Sequence, residues 1–129
     1  MTTVAEKQTD PVVMVRAIWQ SVSSLKQAFQ LSEPEMQALL GDMARSTMHK
    51  GMQHQNVKVS RDVRDRVSLL LGIYKGLRVL FEDSQQATTW IDRANTLPPF
   101  NGRRPRELMT SGDFMALASV RRFIDYWRG

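Results

Sequence analysis

The chain has 129 residues, of which 42% are hydrophobic and 24% charged, as expected for one folded domain rather than a disordered chain. It contains no cysteine, which excludes disulfides and thiolate metal sites and favours a cytoplasmic location. The net charge is +5 and arises after residue 57: residues 1–57 have five basic and five acidic side chains, residues 58–82 six and three, and residues 83–129 seven and five. This moderate excess suits an anionic partner without requiring one.

The sequence shows neither a secretory signal nor a membrane-spanning segment. The first ten residues, MTTVAEKQTD, lack the apolar core of a secretory signal. The longest apolar run, residues 67–74, is interrupted by Ser68 and Gly72 and is too short to span a bilayer. We therefore expect no membrane association.

The first helix is predicted to start after Asp10, an N-cap residue followed by proline at the first helical position. Its apolar residues recur at helical spacing and are Val12, Val15, Ile18, Trp19, Val22, Leu25 and Phe29. A capping box at residues 32–35, SEPE, predicts a short second helix that ends at Gly41. A third helix is predicted from Arg45 to His54.

The polar stretch MQHQNVKV, residues 52–59, is poor in helix formers and is the best candidate boundary. We therefore divide the chain into an N-terminal unit, residues 1–59, and a C-terminal unit, residues 60–129.

Four more helices are predicted in the C-terminal unit. Ser60 caps the longest, and Asp83 caps one that runs through Trp90 to Arg93. After the irregular stretch NTLPPFNGRRP come a short helix over residues 106–109 and a last helix capped by Asp113. No segment alternates with period two over enough residues to form a strand. The predicted fold class is all-α.

Residues 32–53, SEPEMQALLGDMARSTMHKGMQ, have the form of a helix-turn-helix. Met36, Leu39 and Leu40 are expected to pack on Met48 and Met52. Side chains suited to phosphate and base contacts are then left on the second helix, and the candidate DNA-binding residues are Arg45, Ser46, Thr47, His49, Lys50 and Gln53. A helical hairpin with an ordinary polar face is the alternative.

Catalytic and metal-binding patterns are missing from the sequence. His49 and His54 are five residues apart, about 140° around a helix, so they do not share one face. Asp62 and Asp65 each have an arginine four residues away, Arg66 and Arg61, and such pairs are typical salt bridges of a helix surface. Without a phosphate-binding loop or a nucleophile set, we predict no catalytic residues, no metal and no cofactor.

The C-terminal unit resembles the toxin-binding domain of the Xre/MbcA/ParS-like antitoxins. The resemblance spans roughly residues 60–129 and rests on the long apolar helix, on AxxWI at residues 87–91 and on FNGRRPxELM at residues 100–109. A glycine at position 112, an apolar helix and a terminal glycine complete it. The N-terminal unit resembles the Xre-type helix-turn-helix of the same family, with a turn that is one residue longer than usual.

The resemblance implies the antitoxin of a type II toxin–antitoxin pair. Such a protein dimerises, binds its own operator DNA, and blocks the active site of a RES-domain toxin that consumes NAD or transfers ADP-ribose. The alternatives are a helix-turn-helix transcriptional regulator without a toxin, and an adaptor that binds another protein through the same C-terminal surface.

Two clusters are the candidate toxin-binding residues. In the corner at residues 100–109, Gly102 permits the turn and Phe100, Leu108 and Met109 anchor the loop, which leaves its arginines at the surface. The last nine residues are rich in tyrosine, tryptophan and arginine, which are enriched at interface hot spots. The candidates are Arg103, Arg104, Arg106, Arg121, Arg122, Asp125, Tyr126, Trp127 and Arg128. Their alternatives are solvated arginines and aromatic rings that close the protein's own core.

Overall fold

The computed structural model describes residues 10–129, which contain seven α-helices and no β-strand. In chain order these are α1 (Pro11–Ala28), α2 (Glu33–Leu39), α3 (Arg45–His54), α4 (Arg61–Leu80), α5 (Ser84–Thr89), α6 (Pro105–Met109) and α7 (Phe114–Arg128), with one 3₁₀ turn at Trp90–Asp92. The predicted all-α class is confirmed. The expectation that no signal is present concerns the first ten residues and falls almost entirely outside the described range.

Local capping sets the helix starts, as the sequence predicts. The Asp10 carboxylate accepts a hydrogen bond from the Val12 amide at 3.0 Å. Ser32 and Glu35 form the reciprocal capping box, with distances of 3.2 and 2.9 Å. Each bond satisfies an amide that the first turn of a helix leaves without a partner.

The fifth helix is shorter than predicted. It ends as an α-helix at Thr89 and tightens into the 3₁₀ turn before Arg93. The hydroxyl of Thr89 donates to the carbonyl of Gln85 at 2.7 Å, and that of Thr88 donates to the carbonyl of Ser84 at 3.1 Å. Such side-chain bonds compete with the backbone ladder and favour the end of a helix.

The long helix α4 lies between α1 and α7 and contributes to a core shared by all parts of the described chain. It runs parallel to α7: Arg66, near its start, bonds to the carbonyl of Gly112, whereas Gly76, near its end, lies against Ile124. A Cβ at Gly76 would overlap the Cγ2 of Ile124, so glycine is what lets the two helices approach here.

The apolar residues predicted to join α2 and α3 lie inside the protein, and the two helices are in contact. Met36, Leu39, Leu40 and Met48 are buried and Met52 is half-buried. Gly41 adopts a φ of +79° directly after α2, which confirms its role in ending that helix.

Trp19 of α1 contacts both α3 and the connector that follows it. Its indole ring lies directly over Gly51 of α3, and its N–H donates to the carbonyl of Val57 at 2.8 Å. The polar connector that leads to α4 is therefore held against α1.

Within residues 10–129, no helix has the length and apolarity needed to cross a membrane.

Candidate partner-binding sites

The corner, extended here to include the preceding residues 97–99, is a rigid loop built on buried anchors. Phe100, Leu108 and Met109 are at most 5% exposed, which confirms their predicted role. Gly102 has a φ of +93° and its amide donates to the carbonyl of Asn95 at 2.7 Å, closing the loop. The loop is therefore a fixed platform for the side chains that it carries.

Arg106 does not lie at the surface of this loop, contrary to the expectation from sequence. Its side chain is only 13% exposed, and its Nη2 donates to the carbonyl of Phe29 at 2.7 Å. Nε lies 2.6 Å from an oxygen of Asp92, and Nη1 lies 3.1 Å from an oxygen of Glu35. Arg106 is drawn inward because acids and a helix-end carbonyl from distant parts of the chain surround its guanidinium.

The charges of this cluster stabilise one another. The hydrogen bond to Asp92 raises the pKa of Arg106, against the opposing effect of burial. Burial acts to raise the pKa of Glu35, but the Ser32 amide and the charge of Arg106 together hold it below its usual value. Arg106 therefore joins the end of α1, the start of α2 and the 3₁₀ turn to the corner.

The other two arginines of the corner are exposed. Arg103 donates to its own loop, with Nε 3.1 Å from the carbonyl of Phe100 and Nη2 3.3 Å from that of Pro99. Arg104 lies 3.6 Å from the carboxylate of Glu107. The charge of Arg103 makes no salt bridge with another described residue and is directed toward solvent beside Pro99.

The end of α7 exposes large side chains. Tyr126 is 89% exposed and Trp127 is 46% exposed, whereas Ile124 is fully buried. Trp127 packs edge-on against Phe81, with ring centroids 5.9 Å apart, and also contacts Trp90. Trp127 thus partly closes the protein's own core, whereas Tyr126 projects away from it.

The charged residues of α7 fall into two groups. Arg121 pairs with Asp125 at 3.0 Å and donates to the carbonyl of Ser68 on α4 at 3.3 Å. Arg122 and Arg128 are exposed, and neither side chain makes a hydrogen bond or salt bridge to another residue in the described range. The structure thus leaves Arg122 and Arg128 available for a partner and uses Arg121 and Asp125 to fasten α7 to α4.

On α3 the candidate DNA-binding residues share an outer surface. Arg45, Ser46, His49, Lys50 and Gln53 are exposed, as expected, and Thr47 is half-buried.

Glu33 of α2 reaches this surface, a contact that sequence reasoning did not anticipate. Its carboxylate lies 2.7 Å from Nε of Arg45 and 3.0 Å from Nε2 of His49. Burial acts to raise the pKa of Glu33, but the hydrogen bond from His49 and the charge of Arg45 bring it below its usual value. Two of the six candidate DNA contacts are therefore already occupied within the protein.

Arg66 is a buried arginine, with 9% exposure, that the sequence did not distinguish from a surface residue. Its predicted pair with Asp62 is confirmed at 2.9 Å, and its Nη1 also donates to the carbonyl of Gly112 at 3.1 Å. The predicted Arg61–Asp65 pair is wrong, because Asp65 lies nearest to Arg64, at 4.0 Å. Residues 10–129 contain no group of three or more His, Asp or Glu side chains placed to hold a metal ion.

Comparison with known families assigns the part of the chain that contains the corner and α7. Residues 76–129 match the model of the antitoxin Xre/MbcA/ParS C-terminal toxin-binding domain. These residues belong to that family of toxin-binding domains. The matched segment includes the end of α4 and every candidate toxin-binding residue named above.

A relative that spans both parts of the chain is the uncharacterized protein y4oB of Sinorhizobium fredii (strain NBRC 101917 / NGR234). It is 33% identical over 101 residues, which are 78% of this chain and 76% of the relative. This chain and y4oB therefore belong to one family.

Proposed function

We propose that this protein is the antitoxin of a type II toxin–antitoxin pair whose toxin is a RES-domain protein that consumes NAD or transfers its ADP-ribose. The single observation that carries the proposal is the match of residues 76–129 to an antitoxin toxin-binding domain. The exposed end of α7 supports it, because a free tyrosine and two uncompensated arginines suit a protein interface.

In this proposal the antitoxin acts by occupying the approach to the toxin's active site. Direct contacts are made by the exposed candidates, which are Arg103, Arg104, Arg122, Tyr126, Trp127 and Arg128. Arg106, Arg121 and Asp125 act through the fold, since their charged groups are paired inside the protein. Residues 60–129 form the toxin-binding unit.

The second part of the proposal is operator binding by residues 1–59, as a homodimer that represses its own operon. It is supported by the exposed polar side chains of α3 and by the packing of α2 on α3. Dimerisation suits this role because two recognition helices then read two half-sites of one operator. A gel shift with DNA from upstream of the gene, in which Arg45→Ala and Lys50→Ala lower affinity, tests it.

Co-expression with a RES-domain toxin encoded beside the gene tests the central proposal. We expect the wild-type protein to restore the growth of cells that produce the toxin, and to co-purify with it. Toxin-producing cells that stop growing despite folded antitoxin, with no complex recovered, would refute it. Growth rescue without any shift of operator DNA would leave the antitoxin role intact and remove only the regulatory one.

A further inference from the structure

A groove runs along the outer side of α7, between this helix and the Pro98–Pro99 segment of the corner. It has a volume of about 360 Å³, and its lining residues are Pro98, Pro99, Ser119, Arg122, Phe123 and Tyr126. Ser119, Arg122 and Tyr126 of α7 are three and four residues apart, so they lie on one face of the helix. Met115, four residues before Ser119, continues this face.

The groove has a rigid apolar floor and wall. Phe123 packs against the buried Phe100, with ring centroids 5.0 Å apart, and stacks on Trp90 at 5.9 Å. The opposite wall is made by two proline rings, whose backbone is restricted before any partner arrives. Met115 and Leu97 extend the apolar surface, at 61% and 56% exposure. A partner side chain therefore gains apolar contact here without ordering the groove.

The charge beside this floor is positive and uncompensated. Arg122 lines the groove and makes no salt bridge with another residue of the described chain, because the nearby Asp125 is paired with Arg121. Arg103 lies at the proline wall, where its guanidinium is 3.3 Å from the carbonyl of Pro99. It makes no salt bridge in the described chain, although its charge helps to lower the pKa of Glu107. No carboxylate lines the groove. Two guanidinium groups beside an apolar floor are complementary to an aromatic or aliphatic side chain next to a carboxylate.

We propose that this groove receives a segment of the toxin in which a large apolar side chain is flanked by an aspartate or glutamate. The apolar side chain lies on Phe123 between the prolines and Tyr126, and the carboxylate pairs with Arg122. This inference rests on the proposed antitoxin function and adds the chemistry that selects the partner. The groove lies wholly within the residues that match the toxin-binding domain, so it is continuous with the surface assigned to the toxin.

Calorimetric titration of the RES-domain toxin with Arg122→Glu tests the proposal, with Arg16→Glu as the matched control. Both arginines are exposed on helices, but Arg16 lies on α1, outside the toxin-binding match. Reversal of a charge that faces a carboxylate is expected to weaken binding by at least about tenfold and to flatten its salt dependence, whereas the control stays within about twofold. If the Arg122→Glu variant binds the toxin as tightly as the wild type does, the proposed role of the groove is wrong. The proposed antitoxin function would be unaffected.

A second probe separates the groove from the identity of the toxin. The backbone amides of the ¹⁵N-labelled full chain are followed by NMR during titration with a blocked hexapeptide of alternating glutamate and phenylalanine, and with its lysine–phenylalanine counterpart. We expect the acidic peptide alone to shift the amides of Ser119 and Phe123, and Arg122→Glu to abolish these shifts. If the toxin fails to bind the wild-type chain, the antitoxin proposal fails, and the peptide result still decides the chemistry of the groove. Equal shifts with both peptides, or none, would overturn it.

Discussion

Arg106 joins three segments that are distant in sequence, through the carbonyl of Phe29 and the carboxylates of Glu35 and Asp92. We predict that Arg106→Ala lowers the free energy of unfolding by about 2 kcal/mol, less than the roughly 3–5 kcal/mol for a fully buried pair, because both acids are partly exposed. Urea unfolding followed by circular dichroism measures this. Arg106→Lys should recover only part of the loss, since an ammonium group lacks the forked geometry. Unchanged stability of Arg106→Ala would contradict this role.

The same cluster predicts a dependence on pH. The folded pKa of Glu35 is lowered from 4.5, so its stabilisation is fully present above that value and is lost as the pH falls through the folded pKa. Arg106→Ala removes the part of this effect that Arg106 supplies and leaves the part from the Ser32 amide. The stability difference between wild type and Arg106→Ala should therefore shrink as the pH falls below about 4.5. A difference that stays constant down to acid unfolding would show that charge pairing is not its cause.

The contacts of Glu33 with α3 lead to a prediction about the affinity for operator DNA. Glu33→Gln removes the anion that holds Arg45 and His49, so both can turn toward phosphate. We predict that affinity for operator DNA rises roughly two- to fivefold, as expected for exposed ion pairs worth up to about 1 kcal/mol, with a steeper salt dependence. Fluorescence anisotropy with labelled operator DNA measures both, and Glu82→Gln is the exposed control. If Glu33→Gln and the wild type bind operator DNA with equal affinity, Arg45 and His49 of α3 do not contact the DNA.

At the scale of residues, sequence reasoning identified the side chains of the corner and α7 but not their partners. Tyr126 and Arg122 are free and Arg106 is not, although all three lie in similar aromatic–basic surroundings in the sequence. The difference comes from residues 14 to 77 positions away, which meet Arg106 only after folding. No local pattern carries that information, whereas the capping box at Ser32 is complete within four residues.

At the scale of elements, the parallel contact between α4 and α7 depends on Gly76. Ala at this position would overlap the buried Ile124, and this overpacking should outweigh the gain of about 1 kcal/mol in helix propensity, for a net loss of about 1–2 kcal/mol. Gly72→Ala is the comparison variant, because the nearest atoms to its Cβ belong to the flexible guanidinium end of Arg121, which can move at the expense of its bonds to Asp125 and Ser68. Thermal unfolding that leaves Gly76→Ala as stable as Gly72→Ala would contradict the close approach.

The elements themselves were largely predictable, because helix starts are set by neighbours. Asp10, Ser32, Ser60, Asp83 and Asp113 each accept hydrogen bonds from the turn that follows them. The end of α5 was missed, because two threonine hydroxyls that bond to carbonyls shorten it. The close contacts of two helical glycines, Gly51 with Trp19 and Gly76 with Ile124, follow from tertiary packing and were not predicted.

At the scale of the whole molecule, paired and unpaired charges are distributed unevenly. Guanidinium groups between helices are satisfied by acids and carbonyls, as at Arg66, Arg106 and Arg121. On the outer face of α7, Arg122 lies unpaired beside Tyr126. Arg103 bonds to carbonyls of its own loop, and Arg128 lies near Gly76 of α4 without a salt bridge in the described chain. The internal pairs hold the helices in place, and the outer face of α7 with Arg122 and Tyr126 is suited to an acidic partner.

Titration of the toxin's NAD-consuming activity with purified antitoxin tests the central claim most directly. We predict that the wild-type protein abolishes NAD loss at molar equivalence. The double variant Tyr126→Ala/Arg128→Ala, which removes two exposed side chains and spares the packed Trp127, should need at least about tenfold more protein. NAD loss that continues in excess wild-type protein, or equal inhibition by the double variant, would contradict the claim that this end of the molecule binds the toxin.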